Sequence, residues 1–404
     1  MAAIGEGVQI AITTSVIQRG RSGVGQYVLS LVRALLQQAT RHEFTLFVLE
    51  EDVPLFAFAA NAMRIVPVAE TFRPPVRDIF WHQTRLPQLA RRLGLDVLHT
   101  PSYRRMVAHA PCAKVATIHD LAPFRLAGKY DWRRMIYGRV VAKQLARRQD
   151  AVIAVSDSTA ADIRQFFGID GDRLVTVRNG IDHARFNLAG AADAPAEVSR
   201  RWGLDQPYFL FVSRLEHPGK NHVRLIAAYE QFRRSSGLAW TLALGGGDWH
   251  GAEVIRARAA ASPYAADIRF LGFVPDDALP ALYQAAGAMV YPSLFEGFGL
   301  PPIEAMASGC PVICSRRGAL GEVVGDAARI VEPEDEASIS NALTEFAVAP
   351  EVRADWRIRG LGRAQLFSWA DAAKHTLETY HWAAAQRRPA VGRAAINPPL
   401  GLQQ

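Results

Sequence analysis

The sequence predicts an α/β protein made of two Rossmann-like domains, each a parallel sheet flanked by helices. Three observations carry this. A chain of 404 residues exceeds what one hydrophobic core usually serves. Short apolar runs alternate with helical patterns, as in βα units. The series of such runs also occurs twice. In the first half the strand candidates are Val8 to Thr13, Phe44 to Leu49, Asp96 to Thr100, Lys114 to His119, Ala151 to Val155 and Leu174 to Val177. In the second they are Tyr208 to Val212, Thr241 to Leu244, Ile268 to Leu271, Ala288 to Tyr291, Pro311 to Cys314 and Ala328 to Val331. The stretch 187–207, rich in Ala, Asp and Pro, is expected as a linker between a first domain over 1–186 and a second over 208–366. A helical pattern over 367–386 follows completion of the second sheet and is expected to cross back onto the first domain. The remainder, 387–404, lacks an apolar period and reads as a flexible tail. Open α/β sheets bind ligands beyond the carboxyl ends of their strands, so two such domains facing each other are expected to enclose a cleft.

Half of the residues are hydrophobic and mean hydropathy is close to zero, as in an ordinary globular protein. Residues 1–20 lack the basic start and long apolar run of a signal peptide, and no run approaches the roughly 18 apolar residues needed to span a bilayer. A cytoplasmic location is therefore expected. Cys112, Cys310 and Cys314 have no metal-ligand partners at the usual spacings and read as small core hydrophobes in a reducing compartment. The net charge of +7 is uneven: residues 1–190 hold 25 Lys and Arg against 16 Asp and Glu, the rest 21 against 23. The first half should therefore face something anionic. Arg85 to Leu93 and Trp132 to Arg148 place basic residues at helical spacing, suited to an anionic membrane surface or to steering a phosphorylated substrate; a solvated helix face is the plain alternative. No aromatic-plus-basic motif accompanies the charge, so nucleic acid is not expected as a partner.

The segment Tyr291 to Glu304 carries the densest chemistry. Two carboxylates, Glu296 and Glu304, bracket the glycine-rich turn Gly297-Phe298-Gly299-Leu300 and the pair Pro301-Pro302. Glycine lets a backbone approach a ligand closely, and proline suits a helix's first turn. The helix N-terminus that follows attracts a diphosphate. Carboxylates beside an anion site act best as acceptors for neutral hydroxyls, one from a hexose and one from a ribose. After the strand ending at Val212, Arg214 and Lys220 place two cations on one loop, enough to neutralise a departing diphosphate. Arg21 to Gln26 puts Gly23 and Gly25 between the first strand and a helix, and His119-Asp120 ends another strand. Asp170-Gly171-Asp172 looks like a metal-binding pair but reads as turn chemistry.

Gly23-Val24-Gly25, Thr117 to Asp120, Ala154 to Ser158, Val177 to Asp182, Ser213 to Leu215 with Lys220-Asn221, Gly272 to Val274 and the Glu296 to Glu304 segment occur in this order over nearly the whole chain. In this the chain resembles the family-4 retaining glycosyltransferases of the GT-B fold. The resemblance implies that Arg214 and Lys220 hold the donor diphosphate, Glu304 the ribose and Glu296 the transferred sugar. It places His119 near the sugar's hydroxyls, Gly23 near the phosphates and acceptor, and the backbone of Phe273 and Val274 at the nucleobase. No carboxylate or histidine is evidently placed as a double-displacement nucleophile, so a front-face mechanism without a metal or other cofactor is expected.

Asp276 or Asp277 could accept from the N1–H and N2 amino group of guanine, which points to a GDP-sugar; a helix N-cap before Leu279 is the competing role. The string Phe211 to Asn221 resembles bacterial mannosyl- and rhamnosyltransferases of O-antigen and exopolysaccharide assembly, which implies a polyprenyl-diphosphate-linked glycan acceptor and a peripheral membrane position. Two alternatives stand beside this reading: the same enzyme class using a UDP- or dTDP-sugar, such as glucose or rhamnose, or a soluble acceptor, and a non-catalytic scaffold that binds a sugar nucleotide.

Overall fold

The computed structural model describes residues 7–20, 22–38, 41–125 and 137–387. Arg21, the first part of the basic stretch Trp132 to Arg148, and 388–404 of the expected tail lie outside the described residues. The chain divides into two units. Among the described residues, the first takes 7–124, 137–180 and 368–387, and the second Arg125 and 181–367.

The first unit holds seven parallel strands: β1 (Gln9–Thr13), β2 (Glu43–Leu49), β3 (Arg64–Val68), β4 (Val97–Thr100), β5 (Ala113–Ile118), β6 (Ala151–Ala154) and β7 (Leu174–Thr176), in the order β3-β2-β1-β4-β5-β6-β7. The second holds six: β8 (Tyr208–Val212), β9 (Thr241–Gly245), β10 (Ile268–Gly272), β11 (Ala288–Tyr291), β12 (Val312–Cys314) and β13 (Arg329–Ile330), in the order β10-β9-β8-β11-β12-β13. Both are doubly wound. The strand order reverses between β1 and β4 and again between β8 and β11, and such reversals open a crevice at the strands' carboxyl ends. The central strands are buried along their length because helices cover both faces.

All twelve expected strands are present. β3 is the addition: Pro67 interrupts its apolar run, and an edge strand tolerates proline because one side of its backbone needs no partner. The expected linker is a correction. Residues 194–202 form the helix Ala194–Trp202, closed by Gly203 at φ 62° and anchored by buried Val198, and the passage between units falls instead at Gly180 and Ile181. A Cβ at Gly180 would sit 2.0 Å from the backbone nitrogen of Trp369, so only glycine fits where the chain passes the start of the last helix.

That last helix, Trp369–Arg387, belongs to the first unit. Arg387 is its final residue rather than the start of a tail, and its guanidinium meets the Asp150 carboxylate at 3.1 and 3.2 Å. The helix is fastened by a buried polar chain: Tyr380 OH lies 2.7 Å from His99 Nδ1, His99 Nε2 lies 2.8 Å from Thr117 Oγ1, and Thr117 Oγ1 lies 3.1 Å from Tyr27 OH. Burial pushes His99 down to about 3, so the ring stays neutral and each nitrogen keeps a partner. The three cysteines are free and buried.

Candidate functional site in the second unit

The crevice between β8 and β11 is built from loops that extend the sheet's hydrogen bonding past its strands. From the loop after β8, Ser213 N donates to Gly245 O (2.8 Å) and Leu215 N to Gly247 O (3.0 Å), while Trp249 N returns to Leu215 O (3.2 Å). Gly246 makes this possible: at φ 148° a Cβ would lie 1.8 Å from Ser213 O. Across the reversal, Leu294 N donates to Gly219 O (2.9 Å), and the Asn221 side chain donates to Pro292 O (3.0 Å) and Pro333 O (2.6 Å). Asn221 sits at φ 65°, which asparagine tolerates better than other side-chain-bearing residues. Ala319 N donates to Glu296 O (2.9 Å), tying the loop after β11 to the loop after β12.

Lys220 and Glu296 meet directly on this frame, Nζ to Oε1 at 2.5 Å, both largely sheltered from solvent. Tyr291 OH lies 3.4 Å from the same ammonium; burial, then the neighbouring Glu296, raises that phenol far above its usual range and keeps it neutral. Arg214 Nη2 is 3.2 Å from Glu216 Oε2. Glu304 stands on the helix Leu300–Ala307, which starts at Gly299 (φ 102°) with Pro301 and Pro302 in its first turn. A Cβ at Gly299 would also meet Leu320 Cδ2 at 2.6 Å. With both prolines lacking N–H, Gly299 and Leu300 are the residues at the start of this helix that carry backbone donors. Glu304 accepts from Tyr283 OH at 3.2 Å, and burial pushes its carboxyl up to about 7 against the opposing pull of Arg185.

Other expected residues have more structural surroundings. Phe298 is buried with its ring edge-on to Phe367 at 5.8 Å, so its side chain serves the core. Val274 is buried against Gly245, where a Cβ would lie 3.1 Å from Val274 Cγ2, whereas neighbouring Phe273 is exposed. Asp276 and Asp277 are exposed, 3.6 Å from Arg185 and Arg201 respectively. Neither is the N-cap of the helix Leu279–Ala285, a position held by Ala278. Arg185 is a residue that sequence reading missed: it sits between Asp276 and the field of Glu304, with no strand or motif of its own to flag it.

In the first unit, His119 Nε2 lies 3.1 Å from Pro101 O. A carbonyl can only accept, so Nε2 carries the hydrogen and Nδ1 is left as an acceptor. Burial pushes this histidine down to about 4, so it is neutral near pH 7, and Tyr27 meets its ring edge-on at 4.7 Å. Of the two early glycines, Gly25 is the sterically required one: a Cβ there would lie 2.6 Å from Ile17 O, whereas Gly23 has open space. Gly23 begins the helix Gly23–Gln37, capped by Ser22, whose Oγ accepts from Gly25 N at 3.0 Å. Asp170 and Asp172 flank Gly171 at a 3-10 turn. Among the described residues, no group of three or more His, Cys, Asp or Glu side chains is placed to hold a metal ion.

Two family models match the chain, one described as Glycosyltransferase Family 4 over residues 21–185 and one as Glycosyl transferases group 1 over residues 196–362. The chain is 29% identical over 391 residues to the O-antigen chain mannosyltransferase B of Escherichia coli, spanning 92% of this chain and 99% of that protein. It is 30% identical over 356 residues to a D-inositol 3-phosphate glycosyltransferase of Salinispora tropica, spanning 84% and 70%. Sucrose-phosphate synthase from Thermosynechococcus elongatus shares the fold with a TM-score of 0.76 at 22% identity, covering 94% of this chain and 100% of that one. The two parallel-sheet units are those of the GT-B fold.

The seat of Glu296 depends on Gly318, which pairs with it at φ 63° and whose Cβ would lie 2.3 Å from Glu296 O. Gly318→Ala should cost about 1–3 kcal/mol through strain and lower the melting midpoint by several degrees in calorimetry; an unchanged midpoint would show that the loop is not held as described.

Proposed function

The chain belongs to the family-4 glycosyltransferases, and from that premise we propose that it transfers mannose from GDP-mannose, with retention of anomeric configuration, to a lipid-linked glycan in cell-surface polysaccharide synthesis. One observation carries the reading: Arg214, Lys220, Glu296 and Glu304 all stand on loops and a helix at the carboxyl ends of β8 and β11, where a doubly wound sheet binds its ligand. The likeness to the E. coli mannosyltransferase supports the sugar and the class of product.

In this reading the Lys220–Glu296 contact is the resting state. An arriving diphosphate draws the ammonium toward itself, and Glu296, released from its partner, accepts hydroxyls of the sugar. Arg214, Lys220 and the N–H groups at Gly299 and Leu300 then stabilise charge as the diphosphate leaves. The acceptor hydroxyl attacks on the face from which the diphosphate departs, and a phosphate oxygen takes its proton. His119, neutral with Nδ1 as acceptor, suits a sugar hydroxyl. Asp276 serves guanine with Arg185 beside it. These residues supply the needed charge stabilisation, so the proposal includes no metal.

A titration with GDP-mannose, UDP-glucose, a dTDP-sugar and an ADP-sugar, followed by turnover of whichever binds, tests this. GDP-mannose should bind best, and Lys220→Ala should lower turnover by about a hundredfold or more. Wild-type turnover in the variant would remove Lys220 from the diphosphate, and preference for another nucleotide would remove Asp276 from the base.

The raised carboxyl of Glu304 gives a pH signature. Ribose hydroxyls bond the ionised form, so donor binding should release a proton. Affinity should therefore increase as pH rises from about 6 to 8 and level off above the free protein's value. Glu304→Gln should flatten that profile; an unchanged slope would assign the pH dependence elsewhere.

The proposed place of work is the cytoplasmic membrane face. Support comes from the helix Pro75–Arg92, whose single acid, Asp78, is buried and paired with Arg105. Its exposed residues include Val76, Phe80, Arg77, Arg85, Arg91 and Arg92. Apolar tips among exposed arginines suit an anionic leaflet. Among the described residues, no helix is long and apolar enough to cross a membrane. The protein should float with vesicles containing anionic lipid, and Phe80→Glu should reduce the floating fraction; wild-type protein left in solution would count against the membrane.

A further inference from the structure

Trp249 has the largest side chain on the loop after β9 and is about half exposed, which leaves one face of its indole open to a neighbouring side chain. Its ring lies under the Arg214 guanidinium, with Cζ 4.7 Å from the centroid. Arg214 is thus held by the Trp249 face and by Glu216 Oε2 at 3.2 Å. Glu216 is buried, and the backbone of Trp249 is anchored by its bond to Leu215 O, the Leu215–Asp248 bridge and the glycine run that lets the two loops close on each other.

We propose that Trp249 is the positioning residue for Arg214. It stacks the guanidinium in the conformation that receives the donor diphosphate and so reduces the side-chain freedom lost on binding. This rests on the reading of Arg214 as a diphosphate ligand. An arginine on an open loop samples many rotamers, and fixing it on binding costs affinity. A planar cation stacked on indole is already ordered, and its edge N–H groups remain directed outward for a bidentate contact. Glu216 alone would leave rotation about the side chain's outer bonds; the ring face removes it.

The test is a double-mutant cycle on the full chain, Trp249→Ala, Arg214→Ala and both together, with Trp249→Phe as the conservative variant. Each is titrated with GDP-mannose and with UDP-glucose, which share the diphosphate, so the choice of base does not enter. Trp249→Ala should weaken donor binding about tenfold. Trp249→Phe should recover most of that loss, and Trp249→Ala should change nothing further when Arg214 is already alanine. Equal losses from Trp249→Ala in both backgrounds would overturn the proposal, because the ring would then act on the ligand or the fold and not through Arg214. Unchanged affinity in Arg214→Ala itself would overturn the diphosphate reading on which the proposal stands. Melting curves of all four variants separate either result from misfolding.

Discussion

The continuation of the parallel ladder past the ends of β9, β8, β11 and β12 is the constraint on which the rest of the candidate site depends. Loops at strand ends are normally the mobile part of an α/β unit. Here the bonds Leu215 N to Gly247 O, Leu294 N to Gly219 O and Ala319 N to Glu296 O join four neighbouring loops into one hydrogen-bonded surface. Asn221 adds a side-chain rivet that reaches two loops at once. Side chains of the candidate site on such a frame retain their backbone separations without a ligand, so little backbone freedom would remain to be lost when one arrives.

Charge is balanced pair by pair around the candidate site. Lys220 has Glu296, Arg214 has Glu216, and Arg185 has Asp276. A sheltered ammonium without a partner would be costly, so local neutrality allows two cations to stand in a partly desolvated crevice of the free protein. Glu304 is the departure: its nearest direct partner is a neutral phenol, and its carboxyl titrates close to neutrality. The cationic end of the site is thus pre-neutralised, whereas the end at Glu304 remains responsive to protons.

Much of this was legible in the sequence, for identifiable reasons. Strands buried on both faces are written as continuous apolar runs, which is why Tyr208 to Val212 and Ala288 to Tyr291 stand out. β3 was not, because Pro67 breaks the run and only its place at the sheet edge makes it acceptable. The composition of 187–207 concealed a helix because Pro195 reads as a breaker, whereas it stands in the first turn, where proline is tolerated, and the helix is anchored by buried Ala194 and Val198. At the site, Glu296, Glu304, Arg214 and Lys220 announce themselves by charge beside glycine and proline. Partnerships cannot be read that way: that Lys220 rests on Glu296, 76 positions away, or that Trp249 underlies Arg214, is settled by which loops are neighbours in the sheet. Phe298 shows the opposite error, since a motif residue between two glycines of a candidate site can belong to the core.

The joined loops also restrict how such a chain can vary in length. A residue inserted within 213–220 or 245–250 would shift every later ladder bond by one position and carry Arg214 or Trp249 out of register, as a slip does in a sheet. The segment after β10 is tied differently, through Arg185 on Asp276 and Arg201 on Asp277, and side-chain ties tolerate a changed backbone length better than a ladder does. Indels and loop grafts are therefore best accommodated at 276–277, a natural cassette for redesigning selectivity while the loops carrying Arg214 and Lys220 stay untouched.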